Sequence, residues 1–125
     1  MKIIVYDQEF RNAEIIKEYF DFKFPGNDIV IAGTKKTLQE AISQSQTPFV
    51  VILGENELYR ISYAKLYGLI PEGTLVIIYC FKETLSDKDI PSSDPKKPIK
   101  FIDRNEAGLD IPIMIQWLKS QGCTI

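Results

Sequence analysis

The sequence predicts a three-layer α/β domain on a five-stranded parallel sheet, and three observations predict it. Short apolar runs rich in Val and Ile recur along the chain, and segments with helical periodicity separate them. Two of the runs are apolar at nearly every position, as strands buried on both faces must be. A length of 125 residues suits one domain, residues 1–125, with room for an ordinary hydrophobic core.

The first strand is expected over residues 2–6, ending at Asp7. A helix over 9–22 follows, with Phe10, Ala13, Ile16 and Phe20 on one stripe and Arg11, Glu14, Lys17 and Glu18 largely outside it. Pro25 and Gly26 turn the chain into a second strand, 28–32. Thr34 is placed to cap a helix over 35–46, whose Leu38, Ala41 and Ile42 follow the i, i+3, i+4 rule. The continuous apolar runs, 49–53 and 74–80, are the third and fourth strands and belong at the centre of the sheet.

Between them a third helix, 57–70, carries a broad stripe of Leu58, Tyr59, Tyr63, Leu66, Leu69 and Ile70, with Ile61 and Tyr67 outside it; Pro71 and Gly73 end it. Residues 81–98 turn rich in Lys, Asp, Ser and Pro. Pro91, Pro95 and Pro98 exclude a long helix, so the fourth crossover is expected to be a loop with at most one helical turn at 83–89. A fifth strand, 100–102, precedes a last helix capped by Asp110, with Pro112 tolerated in its first turn and Gly122 as terminator.

Composition narrows the function classes. Lys plus Arg total 15 against 17 Asp plus Glu, with no basic run, so no nucleic acid is expected as a direct ligand. The apolar run from Ile3 stops at Asp7, too short for a signal-peptide core or a membrane span, and a cytoplasmic location is expected. Two cysteines without CxxC spacing read as reduced thiols, Cys80 in the core and Cys123 at a frayed end. The absence of histidine removes His-based triads, His general bases and His-ligated metals. No Cys-x5-Arg run follows Cys80, and Gly26, Gly33 and Gly54 stand alone, so neither phosphatase nor dinucleotide or P-loop chemistry has a motif.

Five βα units at this length suggest a flavodoxin-like sheet of order 2-1-3-4-5, whose ligand site lies beyond the C-terminal strand ends. The residues at those ends carry a resemblance. Ile3-Ile4-Val5-Tyr6-Asp7-Gln8-Glu9 is similar to a strand ending in two acids followed by Glu; residues 48–53 resemble an apolar strand that delivers an aspartate, here Gly54. Leu75-Val76-Ile77-Ile78-Tyr79-Cys80 and Phe101-Ile102-Asp103-Arg104 complete the pattern. Together they resemble the response-regulator receiver family.

Within that resemblance Asp7 matches the first acid of the Mg²⁺ site, while Gln8 replaces the second. Gly54 stands in the place of the phosphoacceptor aspartate, and Tyr79 in that of the Ser or Thr that bonds the phosphoryl group. Asp103 and Arg104 replace the Lys-Pro pair. Phosphoryl transfer needs a carboxylate nucleophile, a divalent cation and a positive charge on the developing transition state. The resemblance therefore implies a non-phosphorylatable pseudo-receiver without catalytic residues, metal or cofactor. Its expected role is protein–protein interaction in bacterial two-component signal transduction, with a separate protein or a further domain of the same regulator as partner.

Several readings stay open on sequence alone. Asp7, Glu55 and Asp103 either gather a divalent cation or are solvated carboxylates beside Arg104 or Lys82. Tyr79 either plugs the vacated site or is a strand aromatic with its hydroxyl at the wet edge. Ile113 and Trp117, at i, i+4 off the core stripe of Ile111, Met114, Ile115 and Leu118, either anchor a partner or homodimer through the last helix or pack against the loop 81–98. Ile61 and Tyr67 are further candidate contacts. A crevice lined by Asp7, Gly54, Tyr79 and Asp103 would instead bind a small ligand, with Gly54 permitting close approach.

Overall fold

The structure, a computed structural model, describes residues 1–46, 49–54, 62–81, 87–92, 94–104 and 110–125. Five strands form the sheet: β1 (Lys2–Tyr6), β2 (Asp28–Ala32), β3 (Val50–Leu53), β4 (Leu75–Cys80) and β5 (Ile99–Asp103). They are all parallel, in the order β2-β1-β3-β4-β5. This is the flavodoxin-like, receiver-like arrangement expected from the alternation of apolar runs and helical periods. Every residue of β3 is buried, and so is every residue of β4 after Leu75, because both strands are covered on two faces.

The described helices are α1 (Phe10–Lys23), α2 (Lys35–Ser43), α3 (Tyr63–Gly68) and α4 (Ile111–Ser120). On one face of the sheet, Ala13, Ile16 and Phe20 of α1 and Ile111, Met114, Ile115 and Leu118 of α4 pack on Ile3, Val5, Ile52 and Ile77. On the other, Leu38 and Ala41 of α2 and Leu66 of α3 pack on Ile4, Val51, Leu53, Val76 and Ile78. Period-2 alternation in the strands and 3.6-residue stripes on the helices assign each side chain its layer.

Capping matches the side-chain chemistry. Thr34 and Thr37 form a reciprocal box at the start of α2. The helix stops at Ser43, short of the expected Gln46, where the hydroxyls of Ser43 and Ser45 donate to the carbonyls of Glu40 and Ala41 at 2.8 and 2.6 Å. Asp110 accepts from the Ile113 N–H at 3.1 Å at the start of α4, and Gly122 takes a positive φ of 82° past its end. Ser62 caps α3, accepting from the Lys65 N–H at 3.1 Å. The expected start of that helix at 57, and Ile61 with it, lie outside the described residues. Phe10 departs from its stripe: as the first residue of α1 it stands past the end of β1 and is 58% exposed.

The crossover from β4 to β5 has a 3₁₀ turn at Asp87–Asp89 in place of a described fourth crossover helix. Residues 94–98 then fold as a strap onto the end of α3. Within it, Lys97 N–H donates to Asp94 O and Lys96 N–H to Asp94 Oδ1. Lys97 is buried, and its ammonium donates to the carbonyls of Tyr67 and Ile70 at 3.0 and 2.8 Å, with Nζ 4.1 Å from the Tyr67 ring centroid. Tyr67 O, near the C-terminal end of α3, also accepts from the Ile70 N–H at 3.1 Å, and the ammonium adds a positive charge where a helix end is partially negative. The Tyr67 hydroxyl in turn donates to Lys97 O at 2.5 Å. Tyr67, expected from its spacing to be a surface contact, is thereby a buried residue, because the strap covers it.

Candidate functional site

The C-terminal ends of the central strands bring three of the sequence-selected residues into one row. Tyr6 pairs with Leu53, and Leu53 with Ile78. One step further along each strand come Asp7, Gly54 and Tyr79, on the same face as Val5, Ile52 and Ile77. The chain holds Gly54 in place by its N–H, which donates to Tyr6 O at 2.6 Å, and holds Asp7 by its N–H to Ala32 O at 3.1 Å. Both bonds continue the parallel ladders past the strands.

Tyr79 fills the space over the glycine. Its hydroxyl donates to Asp7 Oδ2, and a Cβ built on Gly54 would collide with the Tyr79 hydroxyl and Cζ and with the same Asp7 oxygen. Residue 54 therefore has room for a hydrogen and nothing larger while Tyr79 points inward. The second oxygen of Asp7, Oδ1, accepts from the Glu9 N–H at 2.7 Å, so the first turn of the β1–α1 connection is tied to the same carboxylate. Asp7 and Tyr79 are both essentially inaccessible to water.

Electrostatics favours a neutral tyrosine here. Burial pushes the Tyr79 hydroxyl well above the ordinary tyrosine range, and the neighbouring Asp7, by its charge and by accepting the hydroxyl proton, pushes the same way. The Arg104 guanidinium, 5.8 Å from the Tyr79 ring centroid and 4.9 Å from that of Phe81, pulls in the opposite direction without prevailing.

The remaining selected positions fall around this row. The Gln8 amide donates to the Tyr6 hydroxyl at 3.2 Å, on the opposite face from Asp7. Asp103 pairs in register with Cys80, one step beyond the pairing of Tyr79 with Ile102. It is thus set on the Cys80 face and not in the row, unlike the crevice expected from sequence. Glu55 and Lys82 lie outside the described residues. Among the described residues no three acids or cysteines gather as a cation site. Cys80 is buried and Cys123 half-buried, neither in a disulfide.

Ile113 and Trp117 are half-buried and pack, with Ile15, Tyr19 and Phe24 of the α1 side, on the core of their own layer. No described residue of the loop 81–98 is among the hydrophobic residues of that cluster.

Two residues at the site escaped sequence reasoning. The Tyr63 hydroxyl donates to the Gly54 carbonyl at 2.5 Å, reaching the row from α3, and Lys97 locks the other end of that helix. The available signal was a pair of tyrosines at i, i+4, whose polar tips need partners once the rings are buried.

Scanned against protein-family models and against curated proteins, the sequence has no match. Among solved structures it is similar to the crystal structure of a response regulator receiver protein from Dyadobacter fermentans DSM 18053, with a TM-score of 0.69 at 14% identity over 99% of each chain. That likeness is one of fold.

Proposed function

We propose that the chain is a receiver-like module of bacterial signal transduction that accepts no phosphoryl group and acts by binding a protein partner or a further domain of its own regulator. One observation carries the reading: Gly54 crowns β3 with the Tyr79 hydroxyl and the Asp7 carboxylate packed where an acceptor side chain would stand. A glycine has no group to phosphorylate, and the space is already filled. The same packing weighs against the small-ligand crevice, since the ring takes the volume that a ligand would need. In this reading the domain is not an enzyme, needs no cofactor, and works in the cytoplasm.

The outer side of α4, with Ile113 and Trp117 half-exposed, is the proposed contact surface, for a partner or a second copy. No described helix is long and apolar enough to cross a membrane.

Two measurements test the proposal. Incubation with acetyl phosphate and Mg²⁺ followed by intact mass determination is expected to leave the mass unchanged; a phosphoryl adduct on Asp7 or any other carboxylate overturns it. Light scattering across a concentration series, with Trp117→Ala and Ile113→Ala beside the parent, reads the surface. Self-association weakened by either substitution supports it. A parent chain that neither self-associates nor retains a partner from its native cell in a Trp117-dependent manner removes the interaction role.

A further inference from the structure

We propose that α3 is a mechanical tie between the strand-end row and the crossover strap, so that lifting residues 94–98 loosens the packing over Gly54 and loosening that packing frees the strap. The inference goes beyond the interaction role and holds whether or not a partner binds.

The tie has two anchors one helical turn apart. Tyr63 and Tyr67 share a face of α3 at i, i+4 spacing, both buried. The first donates its hydroxyl to the Gly54 carbonyl and the second to the Lys97 carbonyl, each at 2.5 Å. Lys97 closes the loop by donating back to Tyr67 O and Ile70 O. The strap is further held by the Gly73 N–H on Lys96 O at 2.8 Å and by the Val76 N–H on Pro98 O at 3.0 Å, which lead directly into β4.

Length makes the tie effective. A helix of six residues spans only about 9 Å and is too short to be stable by itself, so tertiary anchors set its position. Releasing one anchor shifts or frays the helix that carries the other. The strap is the end that a ligand or partner can reach: Pro95 and Lys96 are exposed, and the Lys96 ammonium lies 3.8 Å from the Glu72 carboxylate. The Gly54 end is sealed. A contact made at the strap is thus carried by a continuous set of hydrogen bonds to the row, and by reciprocity the row acts back on the strap.

The test is native-state hydrogen exchange on the whole chain, read at the Gly54 amide, bonded to Tyr6 O, and the Lys97 amide, bonded to Asp94 O. Phe20→Leu, near the C-terminal end of α1 and so away from the C-terminal strand ends, serves as a reference for uniform destabilisation. Tyr67→Phe is expected to speed exchange at Gly54 by at least about threefold more than Phe20→Leu does, and Tyr63→Phe to do the same at Lys97. Lys97→Met, keeping the buried stem, is the second variant and is expected to match Tyr67→Phe. The tie is refuted if Tyr67→Phe and Lys97→Met change exchange only within residues 62–70 and 94–98, or if Gly54 responds no more than in Phe20→Leu.

Discussion

The Tyr79 hydroxyl donates to Asp7 Oδ2 directly above the α-carbon of Gly54, so three residues far apart in sequence determine one another. The tyrosine needs an acceptor because its ring is fully buried; the carboxylate needs a donor because it too is out of water. The glycine is what leaves room for both. The strand-end row of this receiver-like fold is thereby a packed, hydrogen-bonded plug.

Gly54→Ala is expected to destabilise the chain by roughly 1–3 kcal/mol, the usual cost of adding a methyl to a filled site, although the backbone there needs no left-handed conformation. Shortening the ring's position relieves the collision, so Gly54→Ala combined with Tyr79→Ser should cost less than the two single changes summed. Urea unfolding of the four proteins gives the cycle. Additive losses would mean that Tyr79 does not occupy the space over residue 54.

Much of this was legible beforehand, and the boundary is physical. The alternation of apolar runs placed all five strands, and Thr34 and Asp110 announced their helix starts, because layer assignment and capping depend on local spacing. That a glycine follows the third strand was readable as well. Which way Tyr79 points was not, since inward and outward rotamers of a strand-end aromatic differ only by contacts made across the sheet. Tyr67 and Lys97 were harder still. Their bond joins positions thirty residues apart, in a crossover without periodicity, where local sequence carries no distance information.

Lys97→Met is expected to cost roughly 2–3 kcal/mol, although it preserves the apolar stem. It removes two charge-assisted hydrogen bonds and leaves the Tyr67 and Ile70 carbonyls buried without that donor. Lys97→Arg should recover little of this, because a planar guanidinium does not reproduce the convergence of one ammonium on two carbonyls beneath a ring. Chemical denaturation measures both; a loss in Lys97→Met below about 0.5 kcal/mol would place the ammonium in water.

Asp110→Ala should weaken the start of α4 by about 1 kcal/mol, since the Ile113 N–H loses its acceptor. Asp110→Asn keeps an acceptor and gives up only the charge at the helix N-terminus, so it should cost no more than a few tenths. Thermal unfolding of the pair separates the bond from the charge. Equal losses would assign the whole effect to electrostatics.

Tyr79→Phe tests the row through pH. At neutral pH the variant should be less stable by about 1–3 kcal/mol, because Asp7 loses a buried donor. Burial and Asp7 hold the folded-state hydroxyl protonated well above the ordinary tyrosine range, whereas in the unfolded chain it ionises near pH 10. Below about pH 10 both states keep the proton and the contribution is fully present; above it only the unfolded state loses the proton, and stability falls by up to about 1.4 kcal/mol per pH unit. The other tyrosines titrate alike in parent and variant and cancel in the comparison. The stability gap between parent and Tyr79→Phe should therefore be constant from about pH 7 to pH 9 and narrow steadily above about pH 10. A gap that stays level to about pH 11.5 would mean a hydroxyl that ionises as freely folded as unfolded, and hence a ring that does not lie buried against Asp7.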